Sequence, residues 1–497
     1  MEAARPGNLG VRARPRRGGM NGGAAPRLRG LIQSGRVIGY GMLRSFLPVH
    51  YRNLHVERNT LPKLGRINLL VGPNNSGKSN FIKAMGFLPD MLLTEGGPTH
   101  FLNAIEAHGR ADVLNRTERA KKVKGRPKSD ADFYLQWIFD SQPSPDTGDL
   151  FAEPHPPSDI LYALSCTVGE PDSFPSGYYI RNEALARFSP RDWWAPGAPS
   201  EQPTFSVSCN SDGAGSRRAT FVKTARSNAP GQAAVPMTKA ELAVEANDTV
   251  LHQTKALLKD KAFYEKIFPD FDRISEELIG FARGFRNYSS TDLNLRKLVD
   301  GAKIDLGVRT LDAEGAEFVN VLRHLDQQHD FLSEEYPQRL RELIPDLKRI
   351  KIIDASDVYK QLELHIGGQK YKPREMSDGT LKALWLALLL FSPEKGSVLS
   401  IDEPELNLHP AWLKVVGGWL QRFTSAEQLF VSTHSPDLLD TFTDGFKSGD
   451  VALFVFGLGE KAMRRVDPAE LESFFRDGWE LGDVYRGGVP QLGGWPW

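Results

Sequence analysis

The strongest constraint on the fold lies at residues 67–85, which read INLLVGPNNSGKSNFIKAM. A short apolar run predicts a buried strand, a glycine-containing loop follows it, and Phe81, Ile82 and Met85 continue at helical spacing. Glycines let successive backbone N–H groups turn toward one point, and the start of a helix adds its positive end. Together, the strand, loop and helix predict a phosphate-binding P-loop.

The residue types in this loop fit the contacts that a nucleotide needs. Lys78 is expected to reach the β- and γ-phosphates, and the Ser79 hydroxyl is expected to face Mg²⁺. The residues predicted to bind the nucleotide are Gly72, Pro73, Asn74, Asn75, Ser76, Gly77, Lys78, Ser79 and Asn80.

A second apolar strand, residues 398–401, ends in two adjacent acids. An aspartate at the end of a strand beside a P-loop completes the Mg²⁺ ligands, which predicts that role for Asp402. Glu403 is expected to point elsewhere and to polarise a water for attack on the γ-phosphate. The alternative is an acidic loop, but adjacent like charges repel each other and make a poor structural device.

A third apolar strand, residues 429–432, leads into Thr433 and His434. His434 follows Asp402 by 32 residues, which is enough for one helix and one strand. That spacing predicts a neighbouring parallel strand whose end lies beside the same phosphate. His434 is then expected to sense or hold the γ-phosphate; the alternative is an ordinary polar residue with satisfied hydrogen bonds.

A polar turn precedes the most apolar helix of the chain. Residues 377–380 read SDGT and lead into LKALWLALLLF. Ser, Asp and Thr before an apolar run are typical of a helix cap, which is the ordinary explanation. A glycine in such a turn also lets the backbone approach a phosphate closely, beside the positive end of the helix. Both explanations of this SDGT turn stay open on its residues alone.

The order of P-loop, SDGT turn, Asp–Glu strand and His strand resembles the ATP-binding-cassette (ABC) type of ATPase. Within that type, the chain is similar to the branch that includes the SMC, RecF and OLD-type proteins, especially compact members without coiled coils. The similarity lies in the stretches MLRSF, GPNNSGKSN, LDAEGAEFVNVLRHL, RELIPDLKRI, REMSDGTLKALWLALLL, SIDEPELNLHP, VSTHSPDLLD and ELGDVYRGGVPQLGG.

The resemblance implies a composite site. Ser377, Asp378 and Gly379 would bind the γ-phosphate of an ATP held on the P-loop of a second protomer. ATP and Mg²⁺ are the expected cofactors, with Ser79 and Asp402 as the metal ligands. The catalytic roles are expected for Glu403, His434 and Lys78.

The sequence also departs from the family pattern. The SDGT turn differs from the usual LSGGQ, because Asp378 replaces the first glycine and Thr380 replaces the glutamine. An acid beside a phosphate is unfavourable unless its carboxylate turns back to cap the helix, which Asp378 could do. The family's Q-loop glutamine is not evident in the sequence, and Gln136, inside a strand-like run, is a candidate for it.

The expected fold is α/β: an ABC-type P-loop core with an antiparallel β subdomain and a large, mainly helical insertion. Short β-like runs separated by Pro, Gly and Ser predict the subdomain, and helical periodicity predicts the insertion. The predicted division is a basic tail (1–41), the first part of the core (42–112), the β subdomain (113–237), the helical insertion (238–350) and the second part of the core (351–497).

The amino-acid composition narrows the classes of protein to which the chain can belong. The chain has 62 basic and 62 acidic residues, so its charge does not favour a protein that coats nucleic acid. Cys166 and Cys209 predict two structural thiols in a reducing compartment rather than a disulfide framework or a zinc site. No apolar run approaches the roughly 20 residues that cross a bilayer, so we expect a soluble, cytoplasmic protein.

The first 41 residues carry eight arginines against one acid, with Gly, Ala and Pro in most other positions. Such a segment cannot bury a core and is expected to be disordered. Two explanations stay equally open, a basic arm and a start codon assigned too early. A transit peptide would need an amphipathic apolar face that this segment lacks.

A basic cluster could contact a nucleic-acid backbone. Its members are Arg116, Arg119, Lys121, Lys122, Lys124, Arg126 and Lys128. A solvated loop is the simpler explanation, and no aromatic residues interleave with the cluster to stack on bases.

The function expected from these features is an ATP-hydrolysing switch that forms a homodimer or a higher homo-oligomer. The resemblance implies DNA repair or anti-phage defence, through a separate nuclease, another effector subunit or DNA. The alternatives are the ATPase subunit of a membrane transporter and a nucleotide-binding module that does not hydrolyse ATP. The long insertion argues against the first alternative, and the intact set of site residues argues against the second.

Overall fold

The computed structural model describes most of the chain beyond residue 41. The described ranges are 42–54, 56, 61–93, 100–109, 113–114, 133–141, 158–168, 178–190, 193, 202–211, 216–224, 236–245, 248–252, 261–457 and 463–492. The predicted basic tail and the basic cluster of residues 116–128 lie outside these ranges.

The described part of the chain contains both helices and strands, as an α/β fold requires. The strands are β1 (Leu43–Val49), β2 (Ile67–Val71), β3 (Phe133–Ser141), β4 (Ser158–Val168), β5 (Tyr178–Phe188), β6 (Phe205–Ser211), β7 (Ser216–Thr224), β8 (Pro236–Glu245), β9 (Phe285–Ser289), β10 (Ala302–Lys303), β11 (Leu347–Asp354), β12 (Tyr359–Ile366), β13 (Gln369–Tyr371), β14 (Gly396–Asp402), β15 (Ala426–Ser432), β16 (Val451–Phe456) and β17 (Met463–Val466). The helices are α1 (Lys78–Met85), α2 (Phe87–Leu93), α3 (His100–Ala107), α4 (Lys261–Gly284), α5 (Leu295–Asp300), α6 (Phe318–His329), α7 (Glu335–Arg341), α8 (Asp378–Phe391), α9 (Pro410–Gln421), α10 (Pro436–Asp440), α11 (Thr443–Ser448), α12 (Glu472–Arg476) and α13 (Leu481–Arg486).

A six-stranded sheet forms the core, in the order β17-β16-β2-β15-β14-β9. Only β17 is antiparallel to its neighbour. Successive residues of β2 point into two different apolar cores, Leu69 into one and Leu70 into the other. Both faces of the sheet are therefore covered, which explains why these strands read as continuous apolar runs.

The register of the parallel strands brings their carboxyl ends together. Asp402 pairs with Ser432, and Ser432 pairs with Leu70, the residue before the end of the P-loop strand. The predicted parallel neighbour of the Asp–Glu strand is confirmed. The P-loop, the two acids and His434 consequently follow adjacent strands at one edge of the sheet.

The predicted antiparallel β subdomain is also present. Its seven strands run in the order β1-β3-β4-β5-β6-β7-β8. The buried side-chain amide of Gln428 joins this sheet to the core, because it donates to the Leu43 carbonyl (2.8 Å) and accepts from the Leu43 N–H (2.9 Å).

A third, smaller sheet contains β10, β12, β11 and β13, and lies in the chain after α4 and β9. Residues 238–350 thus contain helices and also β9, which pairs with β14 in the core sheet. The division of the chain at residues 113, 238 and 351 stays a prediction.

Helix α8 is the apolar helix that follows the SDGT turn, and every residue from Leu381 to Phe391 is buried. Trp385 packs edge-on against Tyr288 of β9, with 5.7 Å between ring centres. The Tyr336 hydroxyl donates to the Leu384 carbonyl (2.6 Å). An aromatic pair of this kind adds about 0.5–1.5 kcal/mol beyond its burial, so α8 is firmly fixed to the core. Among the described helices, none is both long and apolar enough to cross a membrane.

Candidate nucleotide site

The P-loop backbone adopts the left-handed conformations that its glycines favour. Gly72, Asn75 and Gly77 have φ angles of 142°, 61° and 107°, in the left-handed half of the map. A Cβ atom on Gly72 would lie 2.2 Å from the Phe456 carbonyl oxygen of β16. Gly72 is therefore required both by its dihedral angle and by the close approach of a neighbouring strand.

Lys78 is folded over this loop. Its side chain is buried, and Nζ donates to the carbonyl oxygens of Gly72 (2.9 Å) and Pro73 (3.1 Å). Burial lowers the pKa of Lys78 to about 8, and the negative charges of Asp402 and Glu403 oppose that shift. The ammonium group is thus held at the centre of the loop, where it can meet a phosphate.

Ser76 and Asn80 were also predicted to bind the nucleotide, and those roles stay predictions. The Ser76 hydroxyl is buried and has no hydrogen-bond partner in the described structure. Asn80 contacts a turn that the sequence analysis missed, because its Nδ2 donates to Asn53 Oδ1 (2.7 Å). Asn53 in turn donates to the Asn75 carbonyl (2.6 Å) and so ties the turn after β1 to the P-loop.

The two predicted metal ligands lie side by side. Ser79 Oγ donates to Asp402 Oδ2 (2.9 Å), and Ser432 Oγ donates to Asp402 Oδ1. A hydroxyl and a carboxylate are oxygen ligands of the kind that Mg²⁺ prefers, with water and phosphate oxygens completing its octahedron. In the described part of the chain, no cluster of three or more His, Cys, Asp or Glu could hold a metal. A Mg²⁺ ion at this pair would therefore depend on the phosphates of the nucleotide.

Glu403 and His434 face each other at the ends of β14 and β15, with 3.6 Å between Glu403 Oε1 and His434 Nε2. Glu403 has a φ angle of 51°, unusual for a residue with a side chain, and its N–H donates to the Ser432 carbonyl (3.0 Å). Burial and the charge of Asp402 raise the pKa of Glu403. Burial and the charge of Lys78 lower the pKa of His434 to about 4, so its imidazole is neutral at neutral pH.

The SDGT turn stands apart from these groups. Within the described residues, no hydrogen bond or ion pair joins Ser377, Asp378 or Gly379 to residues 72–80. Ser377 and Asp378 are exposed. Ser377 is the residue that caps α8, since its Oγ accepts from the Thr380 N–H (3.3 Å). Asp378 is the first helical residue, and the side-chain cap comes from the Ser377 hydroxyl before it and not from the Asp378 carboxylate.

The turn after the two acids packs against the SDGT turn. A Cβ atom on Gly379 would lie 3.2 Å from the Asn407 carbonyl oxygen and 3.8 Å from the Trp412 ring. Gly379 consequently marks a close approach between two segments of the same protomer.

Gln136 lies on β3 of the antiparallel sheet, where the Tyr134 hydroxyl donates to its Oε1 (2.5 Å). Its role as a Q-loop residue stays a prediction. Cys166 and Cys209 are both buried and form no disulfide with each other, as expected of structural cysteines.

Several residues of the site were not predicted from the sequence. Ser432 bonds Asp402, and Glu405 accepts hydrogen bonds from Thr433 Oγ1 (2.7 Å) and from the His434 N–H (2.9 Å). Lys382 is buried inside α8. A signal was present for Lys382, which is the only charged residue between Leu381 and Phe391.

Comparison with solved structures gives three similar SMC head domains. One is an SMC head bound to the C-winged helix domain of ScpA, with 12% identity over 86% of this chain and 97% of that chain (TM-score 0.42). The Thermotoga maritima SMC head domain is 10% identical over 86% and 98% (TM-score 0.35). A Pyrococcus furiosus SMC head with an extended coiled coil, bound to the C-terminal domain of ScpA, is 11% identical over 88% and 99% (TM-score 0.38).

Comparison with curated proteins gives no match. One family model matches residues 67–144 and 250–440, which is more than half of the chain and includes the P-loop, the SDGT turn, both acids and His434. Its description is "AAA domain, putative AbiEii toxin, Type IV TA system". The chain belongs to this AAA-domain family.

Proposed function

We propose that the protein is an ATP-driven switch in which two protomers close over two ATP molecules and reopen after hydrolysis. The observation that carries the proposal is the position of the SDGT turn. Ser377 and Asp378 are exposed, and neither is bonded to the P-loop of its own chain. A phosphate-binding turn that does not contact the P-loop of its own chain can bind the γ-phosphate of an ATP held on the P-loop of a partner protomer.

In the proposed closed state, each protomer supplies most of a site. The N–H groups of residues 72–80 surround the phosphates, and Lys78 turns from the loop carbonyls to the β- and γ-phosphates. Ser79 and Asp402 would hold Mg²⁺, which offsets phosphate charge when it is bound. Ser377 and Gly379 of the other protomer approach the γ-phosphate at the positive end of α8.

Hydrolysis is assigned to Glu403 and His434. Glu403 accepts a proton from the attacking water while the water oxygen forms its bond to the γ-phosphorus, and ADP leaves. The raised pKa of Glu403 makes its carboxylate a stronger base. Because His434 is neutral, it donates a hydrogen bond to the γ-phosphate without adding a charge that would compete with Lys78.

The open and closed states are proposed to control a separate nuclease or another effector subunit, with DNA as a further ligand through the basic cluster of residues 116–128. The family description names a toxin of a type IV toxin–antitoxin system. That description supports a role in defence, through such an effector, over a role in DNA repair.

The test is the mass of purified Glu403→Gln in solution with Mg²⁺ and ATP and again without nucleotide. This variant keeps every nucleotide contact and loses only the proposed base. A monomer that becomes a dimer only with ATP, with turnover nearly abolished, is the expected result. A mass that ATP does not change would overturn the closing mechanism, and turnover equal to that of wild type would remove Glu403 from its role. Lys78→Ala, which is expected not to bind ATP, serves as the control.

A further inference from the structure

A buried lysine lies in α8, one turn beyond the SDGT turn. The side chain of Lys382 is 1% exposed. Its Nζ donates to Ser290 Oγ (2.5 Å) and lies 4.6 Å from the centre of the Trp385 ring. A buried ammonium is costly unless a negative charge compensates it. The nearby charge that acts on Lys382 is the carboxylate of Glu405.

Glu405 fixes the backbone at His434. One carboxylate oxygen, Oε1, accepts from Thr433 Oγ1 and from the N–H of His434. The other oxygen, Oε2, is buried and has no hydrogen-bond partner in the described structure. An unsatisfied buried carboxylate oxygen costs free energy that a donor would recover. Lys382 is a buried basic residue on which the charge of Glu405 acts, but its Nζ donates to the neutral Ser290 hydroxyl.

The same turn reaches from the nucleotide site to the SDGT turn. Glu405 contacts His434 at one end, and the Asn407 carbonyl oxygen faces Gly379 at the other. Ser290 is also linked to the site, because its N–H donates to the Asp402 carbonyl (3.0 Å). One turn of the same protomer therefore bonds to the end of β15 through Glu405 and packs against the start of α8 through Asn407.

We propose that Glu405 is a positioning residue for His434 and that Lys382 couples it to α8. A partner's nucleotide at Ser377 and Gly379 shifts the start of α8, Lys382 leaves Ser290 for Glu405 Oε2, and the completed ion pair holds His434 beside the γ-phosphate. This inference rests on the proposed function, because it requires the SDGT turn to serve a second protomer. In this scheme, the buried ion pair between Lys382 and Glu405 transmits the binding of the partner's nucleotide to His434.

The experiment compares Lys382→Met, Glu405→Gln and the double variant with wild type. Lys414→Met is the matched control, since Lys414 is exposed on the following helix. Each single variant is expected to lower kcat at least about 10-fold while KM and the Kd for a fluorescent ATP analogue change less than about two-fold. The double variant is expected to be no slower than the slower single variant, because both changes break one interaction.

Ser290→Ala gives a second, independent measurement that removes no charge. It frees Lys382 from its present partner, so kcat is expected to equal or exceed the wild-type value. Thermal melting of each variant checks that it folds. The inference is overturned if the two single effects multiply in the double variant, if kcat stays at the wild-type value in either single variant, or if Ser290→Ala lowers kcat as Lys382→Met does.

These outcomes are separate from a failure of the proposed function. If the mass of Glu403→Gln does not change with ATP, the proposed function itself fails. If ATP makes Glu403→Gln a dimer but Lys382→Met keeps full kcat, only the coupling through Lys382 and Glu405 is wrong.

Discussion

Ser79 Oγ lies 2.9 Å from Asp402 Oδ2, although 323 residues separate them in the sequence. The contact joins the first helical turn after the P-loop to the end of β14. Both residues keep free oxygen lone pairs for a metal ion, and Ser432 holds the carboxylate in place from its other side. The pair makes the metal dependence of the site directly testable.

Asp402→Asn should raise the Mg²⁺ concentration needed for half-maximal ATP turnover on the order of 100-fold, because an amide is a neutral and weaker ligand. The amide oxygen still accepts from a serine hydroxyl, so the fold should persist. The measurement is ATPase rate against Mg²⁺ concentration. Asp444→Asn, at an exposed position on α11, should match wild type. Equal Mg²⁺ dependence in wild type and Asp402→Asn would exclude Asp402 as a ligand.

Gly72→Ala should destabilise the protein by about 2–4 kcal/mol, since a Cβ atom there meets a backbone carbonyl and φ is unfavourable. Urea unfolding measures the effect. Gly449→Ala is the matched control, because Gly449 also has a positive φ, 85°, but has open space around its Cβ position. The control should lose only about 1 kcal/mol. If both variants lose the same free energy of unfolding, the close approach of the Phe456 carbonyl oxygen does not add to the cost of a Cβ atom at Gly72.

Two inactive variants should regain ATP turnover when they are mixed. Ser377→Arg should block hydrolysis while its own P-loop still binds ATP, and Lys78→Ala should lose ATP binding. In a mixed dimer, the P-loop of the Ser377→Arg chain meets the intact SDGT turn of the Lys78→Ala chain. An equal mixture should regain about a quarter of wild-type turnover if the two sites work independently.

The readout is the ATPase rate of the mixture at constant total protein. Each variant alone is the control and should be inactive. Loss of ATP binding by Ser377→Arg itself would show that Ser377 serves its own protomer, and the assignment across the dimer would then be wrong.

The stability of the protein should depend on pH through Lys382. Burial lowers the pKa of Lys382 to about 7 in the folded protein, from its ordinary 10.5. Between these values the unfolded chain binds the proton and the folded chain does not, so the stability owed to this group rises with pH and is lost as pH falls toward 7. The slope is at most about 1.4 kcal/mol per pH unit.

Lys382→Met should remove that part of the slope. The measurement is the free energy of unfolding in urea at about pH 7 and about pH 9. Lys414→Met should keep the wild-type pH dependence because its side chain is exposed in the folded state. Identical slopes in wild type and Lys382→Met would show that Lys382 keeps its ordinary pKa in the folded protein.

Local sequence patterns predicted the P-loop, the parallel neighbour of β14 and the antiparallel sheet, because each is built from apolar runs and turns close together in the chain. They did not predict β9. Its sequence, FRNYS, is short, polar and directly follows α4. It becomes a core strand through tertiary partners: Asn287 Oδ1 accepts from Ser400 Oγ (2.6 Å), and a Cβ atom on Gly284 would lie 2.4 Å from the Ser397 nitrogen.

The polar residues of the site also divide into those that local sequence predicted and those whose positions depend on tertiary contacts. Lys78, Ser79, Asp402 and His434 follow apolar strands, so their positions could be predicted from sequence. Glu405 looked like one more acid in a turn, because nothing local shows that its carboxylate is buried under Thr433 and His434. The sequence left the cap open between Ser377 and Asp378 because both residue types cap helices, and only the backbone geometry distinguishes them.

The P-loop strand β2 lies between β15 and β16, so Ile67 pairs with Leu429 on one side and Val451 on the other. During synthesis, β2 leaves the ribosome on the order of tens of seconds before either neighbour exists. The hairpin-connected strands β3 to β8 can fold meanwhile from contacts close in sequence, whereas the central strand waits with both edges unpaired. We therefore expect a nascent chain to acquire its nucleotide pocket only after β16 has been translated.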